Sequence, residues 1–139
     1  MGEQHSQLLA YAVQRSPVSI VLTDPNLDDN PIIFVNDAFQ SMTLYSREFA
    51  LGRNCRFLQG EETEQEVVDR IRKGISEGAE FQVTITNHKA DGTPFRNQLL
   101  IAPVTDDAGE ISAFFGVQRE IKVDGQTQQD FQALDLLRE

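Results

Sequence analysis

The sequence predicts an α+β fold in which five short strands form a sheet, with short helices between them and a further helix at each end. Three observations support this prediction: alternating apolar and polar residues in β-branched segments, turn-forming residues between those segments, and stretches with apolar residues at helical spacing. A chain of 139 residues suffices for one hydrophobic core. We therefore expect one domain over residues 16–120, flanked by helices within 1–15 and 121–139.

The composition limits the classes of partner. Basic residues number 12 and acidic residues 22, so the net charge is −10, which disfavours nucleic acid or an anionic membrane as the main partner. The single cysteine cannot form an internal disulfide, and no apolar run approaches the ~20 residues of a membrane span. The N-terminus also lacks the basic and apolar regions of a secretory signal. We expect a cytoplasmic protein.

The beginning of the chain predicts a helix followed by a β-hairpin. Apolar residues at helical spacing indicate a helix over residues 6–15, with Ser6 as its N-cap. Residues 18–23 and 32–35 are rich in β-branched side chains and are separated by turn-forming residues. The two segments are predicted to pair as a hairpin with a long loop.

Two short helices are predicted to follow the hairpin. Asn36 and Ser46 are candidate N-caps, and Gly52 is expected to close the second helix. Leu44 lies between the two helices, and a leucine argues against a left-handed backbone conformation there. These helices lead the chain to its only cysteine.

The longest core helix is predicted over residues 63–78. Thr63 and Glu66 have the spacing of a capping box, and the apolar residues that follow form one stripe. Arg72 lies at the margin of this stripe, where its stem can be buried while its guanidinium reaches a ligand. An exposed helix arginine is the alternative interpretation.

Residues 81–88 and 95–102 predict two adjacent strands whose apolar faces each contain an asparagine. A loop centred on Gly92 would place Asn87 directly across from Asn97. Two buried carboxamides are costly unless something satisfies them. The pair therefore indicates a bound ligand, whereas either asparagine alone would suit a structural role at the end of a strand.

The last strand is predicted over residues 111–118, and it places Gln118 on the same side as Phe114 and Gly116. A glycine beside a carboxamide leaves room for a flat ring to approach the backbone. Apolar residues at helical spacing then predict a C-terminal helix over residues 126–139.

Polar groups concentrate around the cysteine. Asn54 and Arg56 flank Cys55, and Gln59 follows four residues after it. A thiol is a strong nucleophile, an arginine binds phosphate bidentately, and carboxamides both donate and accept. This combination suits a planar, phosphorylated ligand held against a thiol; the alternative is an inert core cysteine.

The eight residues from Gly52 to Gln59 resemble the signature of the light-oxygen-voltage (LOV) photoreceptors, bacterial type, which bind flavin mononucleotide (FMN). The resemblance covers about residues 16–120 and also includes Asn87, Asn97 and Gln118 at matching positions. It implies a PAS fold with a five-stranded antiparallel sheet and short helices on one face. It further implies a blue-light sensor and not an enzyme.

The resemblance implies a role for each site residue. Cys55 would add reversibly to flavin C4a after blue-light excitation, and Gln118 would sit by N5 and O4 and relay the signal. The remaining residues implied to bind FMN are Asn54 and Gln59 at the ribityl chain and ring edge, Arg56 and Arg72 at the phosphate, and Asn87 and Asn97 at the pyrimidine edge. No metal ligand cluster is expected.

Two other functions compete with the photoreceptor. A flavin redox enzyme would need acid-base groups, which the inward faces do not offer. A light-silent PAS module would have no use for Cys55. The flanking helices are expected to form a homodimer. The chain is expected to be either a short stand-alone protein or the sensor part of a longer histidine kinase or DNA-binding protein.

Overall fold

The computed structural model describes residues 2–122, in which five strands form one antiparallel sheet. The strands are β1 (Ser19–Thr23), β2 (Ile32–Val35), β3 (Phe81–His88), β4 (Pro94–Thr105) and β5 (Ile111–Ile121), in the spatial order β2-β1-β5-β4-β3. The five predicted strands are confirmed. Two strands end later than predicted, since β4 and β5 continue to pair with each other beyond residues 102 and 118.

Within residues 2–122, five helical segments accompany the sheet. They are α1 (Gly2–Gln14), α2 (Asp37–Thr43), α3 (Arg47–Ala50), a 3-10 helix (Cys55–Leu58) and α4 (Gln65–Ser76). The first helix begins before the predicted N-cap Ser6, and the helix predicted over 126–139 lies outside the described residues. Within residues 2–122, none of the helices combines the length and the apolar character that crossing a bilayer requires.

The core lies between one face of the sheet and the helices that follow β2. One cluster joins Val67 and Val68 of α4 to inward residues of β3, β4 and β5. A second cluster joins β1 and β2 to Phe39 of α2, Ala50 of α3 and Leu58 of the 3-10 helix. The predicted apolar stripe of α4 is therefore confirmed, and the helices form a layer over the sheet.

Asn36 caps α2 as predicted and also connects three elements. Its Oδ1 accepts hydrogen bonds from the backbone N–H groups of Phe39 at 3.3 Å and Ile20 at 2.9 Å. Its Nδ2 donates to the carbonyls of Val13 and Val18, both at 2.9 Å. The side chain is fully buried, so this one residue fixes the ends of α1 and α2 against β1.

The predicted capping box of α4 is wrong. Thr63 Oγ1 instead accepts from Gly60 N–H at 2.9 Å and donates to the Thr86 carbonyl at 2.6 Å. Glu64 is the N-cap residue, and its carboxylate accepts from the backbone and hydroxyl of Thr86 and from Arg96. Partners on β3 and β4 compete successfully with the local cap, which attaches the start of α4 to the sheet.

Leu44 adopts the left-handed conformation that its side chain was expected to exclude, with φ 66° and ψ 5°. The backbone N–H of Leu44 closes α2 by donating to the Gln40 carbonyl at 2.9 Å, and Thr43 Oγ1 accepts from Tyr45 N–H. These bonds require the left-handed turn. The leucine side chain is 51% exposed, so its packing does not compensate for the strain.

Replacing Leu44 by glycine should therefore stabilise the domain. We expect Leu44→Gly to raise the free energy of unfolding by ~0.5–1 kcal/mol, because the strain relieved exceeds the added entropy of the unfolded chain. Urea denaturation measures the change. Leu44→Ala retains a Cβ in the left-handed turn and serves as the control; a gain in alanine equal to that in glycine would contradict this explanation.

Candidate cofactor-binding site

A cavity of about 130 Å³ lies between the inner face of the sheet and the helical layer. Its apolar walls are Ile71 and Ile75 of α4, Ile85 of β3, Leu99 and Ile101 of β4, and Phe114 of β5. Its polar lining comes from Thr23, Asn30, Asn54, Cys55, Arg56, Gln59, Asn87 and Gln118. A cavity with apolar walls and a few convergent polar groups at its edges fits a planar ring with a polar rim.

The two asparagines come together, but not by the predicted register. Asn87 pairs across the strands with Phe95, and Asn97 pairs with Ile85. The hairpin is therefore centred on Asp91 instead of Gly92. Since the shift moves the partner by two residues, both side chains stay on the inner face, and Asn97 Nδ2 donates to Asn87 Oδ1 at 2.9 Å.

Asn97 has an unsatisfied buried group that suits a ligand or a second polar partner. The residue is fully buried, and its Oδ1 accepts no hydrogen bond from residues 2–122. Asn97 does not line the cavity itself and is connected to it through Asn87. A buried carbonyl without a donor is unfavourable, so the carboxamide pair is incomplete without further contacts.

Gln118 lines the cavity beside Gly116, as the alternation of β5 predicted. The Gln118 side chain is buried, and its Oε1 accepts a hydrogen bond from Ser19 Oγ at 3.1 Å. Ser19 pairs with Gln118 between β1 and β5. With Oε1 bonded to Ser19, the amide N–H groups of Gln118 are left to donate elsewhere.

Cys55 begins the 3-10 helix and lines the same cavity as Asn87 and Gln118. Burial raises the pKa of the Cys55 thiol from 9.0 to about 12, and a backbone hydrogen bond lowers it by a smaller amount. Desolvation favours the neutral thiol over the thiolate. The half-buried side chain is consequently held at the cavity wall mainly as the neutral thiol, which is a weaker nucleophile than the thiolate.

Asn54 fixes the position of the cysteine by capping the 3-10 helix. Its Oδ1 accepts from Arg56 N–H at 3.0 Å, while its Nδ2 donates to the Asp29 carbonyl at 2.8 Å. The Arg56 guanidinium makes two hydrogen bonds to the Asp29 carboxylate, and this contact raises the pKa of Arg56. The loop between β1 and β2 is thereby attached to the cysteine segment.

Arg72 is not brought to the cavity. Its side chain is 72% exposed, and Nη1 lies 3.3 Å from Oδ1 of Asp69 on the same helix. Gln59 and Arg56 are exposed residues that contribute to the cavity lining. Six of the eight predicted site residues line the cavity, and Asn97 and Arg72 do not. Asn97 is hydrogen-bonded to the lining residue Asn87, whereas Arg72 is paired with Asp69, which is not a lining residue.

Sequence reasoning missed Asn30 and Ser19. Asn30 lines the cavity with its Oδ1 buried and unpaired among the described residues, and its φ of 48° is left-handed. The segment from Asp28 to Pro31 was interpreted only as a turn, although asparagine tolerates that conformation and can face a ligand. Ser19 could have been found from the alternation of β1, which places it beside Val21 on the inner face.

The metal-binding side chains do not form a metal site in the part of the chain that the structure describes. No group of three or more His, Cys, Asp or Glu side chains is close enough to hold an ion there. His88 instead packs against Gly60, where an added Cβ would lie 2.5 Å from its Nδ1.

Fold and site together define a PAS domain, and the sequence model described as "PAS domain" matches residues 17–122. The chain is 43% identical over 125 residues to a blue-light photoreceptor of Listeria monocytogenes, covering 90% of this chain and 47% of that protein. It is 42% identical over 125 residues to blue-light-activated histidine kinase 2 of Erythrobacter litoralis, covering 90% and 35% respectively. The chain thus spans less than half the length of these relatives.

A solved structure identifies the subgroup of PAS domains that the chain resembles. The LOV domain of the Erythrobacter litoralis EL346 blue-light activated histidine kinase superposes with a TM-score of 0.74 at 45% identity. The match covers 77% of this chain and 98% of that domain. The chain belongs to the LOV domains of the PAS family, of the bacterial type.

The raised pKa of Cys55 predicts slow reaction with thiol reagents in the dark. At pH 8 the native chain should react ~10³-fold more slowly than the chain unfolded in urea, one factor of ten for each pKa unit. Its rate should keep rising from pH 9 to 10, where that of the unfolded chain levels off. A native rate that also levels off near pH 9 would indicate steric protection of a thiol with an ordinary pKa.

Proposed function

We propose that this chain is a blue-light sensing domain that binds FMN and reports light absorption through a reversible bond to Cys55. The observation that carries the proposal is one cavity with the half-buried thiol of Cys55 on one wall and carboxamides on the sheet behind it. The relatives named as blue-light photoreceptors support it. The domain would act as a sensor without enzymatic activity of its own.

The cavity residues suit the parts of FMN. Asn87, Asn97 and Gln118 would face the polar edge of the isoalloxazine, whose oxygens and N–H require partners that both donate and accept. The isoleucine, leucine and phenylalanine walls would cover the ring faces. Asn54 and Gln59 would hold the ribityl chain and ring edge, with Asn30 as a further contact from the β1–β2 loop.

Arg56 and Arg72 would bind the phosphate, in different ways. Arg56 already lines the cavity, whereas Arg72 would have to leave Asp69 and turn toward the ligand. The Arg72–Asp69 pair is exposed and therefore weak, so this rearrangement costs little. Binding of FAD would need a dinucleotide site, and the chain has no G-x-G-x-x-G motif.

Cys55 would supply the covalent step. A bound flavin would supply blue-light absorption and an electrophilic carbon, C4a. Cys55 would supply the thiol, whose sulfur would bond to C4a and whose proton would pass to N5, so that S–H would add across the C4a–N5 double bond with no other reactant. Because the raised pKa keeps the thiol mainly neutral, it would be a weak nucleophile toward the flavin in the dark.

Gln118 would convert the new bond into a structural signal. Transfer of a proton to N5 turns an acceptor into a donor, and a Gln118 amide that reorients can accept from it. The Ser19 hydroxyl can both donate and accept, so it can hydrogen-bond either orientation of the amide. The change would then pass from β5 to β1 and to the flanking helices.

The flanking helices would form the partner surface. Leu8, Leu9 and Tyr11 of α1 are 65%, 65% and 60% exposed, which gives this helix an apolar face that the domain does not cover. We propose a homodimer through this helix and the segment after residue 122, in a cytoplasmic protein whose effector is fused or separate. Neither a membrane nor nucleic acid would be a partner of this chain.

Blue light should bleach the bound flavin reversibly, and Cys55→Ala should abolish the bleaching while leaving the dark pigment bound. The reason is that alanine removes the only thiol and leaves the carboxamides in place. Absorption spectra before and after illumination test this, with chromatography to identify the released flavin as the mononucleotide. Colourless protein that flavin cannot reconstitute would end the proposal, and bleaching in the alanine variant would exclude Cys55.

Gln118→Leu should uncouple bleaching from the structural response. We expect the parent to change its hydrogen exchange under blue light from residue 118 onward, and the leucine variant to bleach normally but change much less. Such coupling is typically worth ~1–3 kcal/mol. Gln82→Leu, on the exposed face of β3, is the matched control and should respond like the parent. Equal responses in all three proteins would remove Gln118 from the signalling route.

A further inference from the structure

The Asp29 carboxylate is paired with Arg56, the arginine that lines the cavity. Arg56 Nη1 donates to Asp29 Oδ1 at 3.1 Å, and Nη2 contacts Oδ2, so the carboxylate binds the guanidinium at two points. This is the same two-point geometry by which an arginine holds a phosphate. A phosphate that approaches Arg56 must therefore displace Asp29 or use the remaining N–H groups beside a negative charge.

The position of Asp29 is fixed by its backbone. Its φ is 67°, the next residue Asn30 has a φ of 48°, and its carbonyl accepts from Asn54 Nδ2 at 2.8 Å. These two left-handed residues turn the loop toward the cysteine segment. As a result, the Asp29 carboxylate stays next to Arg56 while the neighbouring Asn30 lines the cavity.

We infer that Asp29 competes with the ligand phosphate for Arg56 and thereby lowers the preference of this domain for FMN over unphosphorylated riboflavin. The inference rests on the proposed function, since it assumes a flavin in the cavity. Riboflavin and FMN share the ring and the ribityl chain and differ only in the phosphate. A residue that acts through Arg56 affects the affinity for FMN alone.

The second arginine does not offset this competition. Arg72 is paired with Asp69 at 3.3 Å, so both arginines implied at the phosphate carry a carboxylate partner. The side chains of Arg56 and Asp29 are 59% and 51% exposed, and solvent therefore screens their interaction. We expect a moderate effect on selectivity, about threefold to tenfold.

Asp29→Asn tests the inference because it removes the charge, preserves the shape and tolerates the left-handed conformation. The 139-residue chain is equilibrated in the dark with equimolar FMN and riboflavin, and the bound flavins are released and separated by chromatography. We expect the ratio of bound FMN to riboflavin to rise about threefold to tenfold. The dissociation constant for riboflavin alone should stay unchanged, which a general disturbance of the cavity would not allow.

Two further variants show whether the effect passes through Arg56. Asp28→Asn makes the same charge change one residue away, and Asp28 has no ion pair within residues 2–122, so it should leave the ratio nearly unchanged. Adding Asp29→Asn to Arg56→Gln should also change nothing, because the shared partner is gone. An equal rise in Asp28→Asn, or a rise that persists without Arg56, would overturn the inference. Failure of the parent chain, as well as of every variant, to bind either flavin would instead overturn the proposed function.

Discussion

Buried carboxamides on the inner face of the sheet are the constraint on which the site depends. Asn87, Asn97 and Gln118 are each at most 5% exposed, in a region otherwise built from valine, isoleucine, leucine and phenylalanine. Polar groups in such surroundings must keep hydrogen-bond partners or destabilise the fold. The protein supplies part of this requirement, through the Asn97–Asn87 hydrogen bond and through Ser19. The remaining donors and acceptors would have to be matched by the proposed ligand.

The same apolar surroundings act on the thiol and on the carboxamides. The apolar walls that make an unpaired amide costly also raise the pKa of Cys55 and suppress its ground-state reactivity. One environment would thus hold a polar-edged ring in place and keep the nearby sulfur neutral. In the proposed function, excitation of the ligand, and not a change in the protein, would provide the driving force for bond formation.

The sequence was sufficient to predict most of the fold and much of the site because the relevant signals were local. Alternation located the five strands, and Asn36 and Ser46 were recognised as caps that accept from Phe39 and Phe49 N–H. Cys55, Asn87 and Gln118 were found from motif and alternation and do line one cavity. These features depend on neighbours within a few residues along the chain.

The wrong predictions involve choices that distant partners decide. Thr63 bonds to β3 instead of capping its own helix. Leu44 is a local exception, because the closing bonds of α2 itself require its strained conformation. The hairpin register depends on which loop residue lies at its centre, and either choice keeps both asparagines on the inner face. The role of Arg72 at a phosphate, by contrast, stays a prediction, because its guanidinium is paired with Asp69 in the structure.

Asn36 gives the N-terminal helix a fixed direction. A helix whose own apolar residues lie in solvent would normally pivot about the point where it joins the domain. Here the carbonyl of Val13 in its last turn accepts a hydrogen bond from the Asn36 side chain, which also hydrogen-bonds Ile20 of β1 and Phe39 of α2. Both the Nδ2 group and the Oδ1 atom of Asn36 therefore have partners. The helix therefore leaves the sheet at a fixed angle. Two domains joined along such helices would face each other in one orientation, and a small rotation of the sheet would become a larger displacement at the far end of each helix.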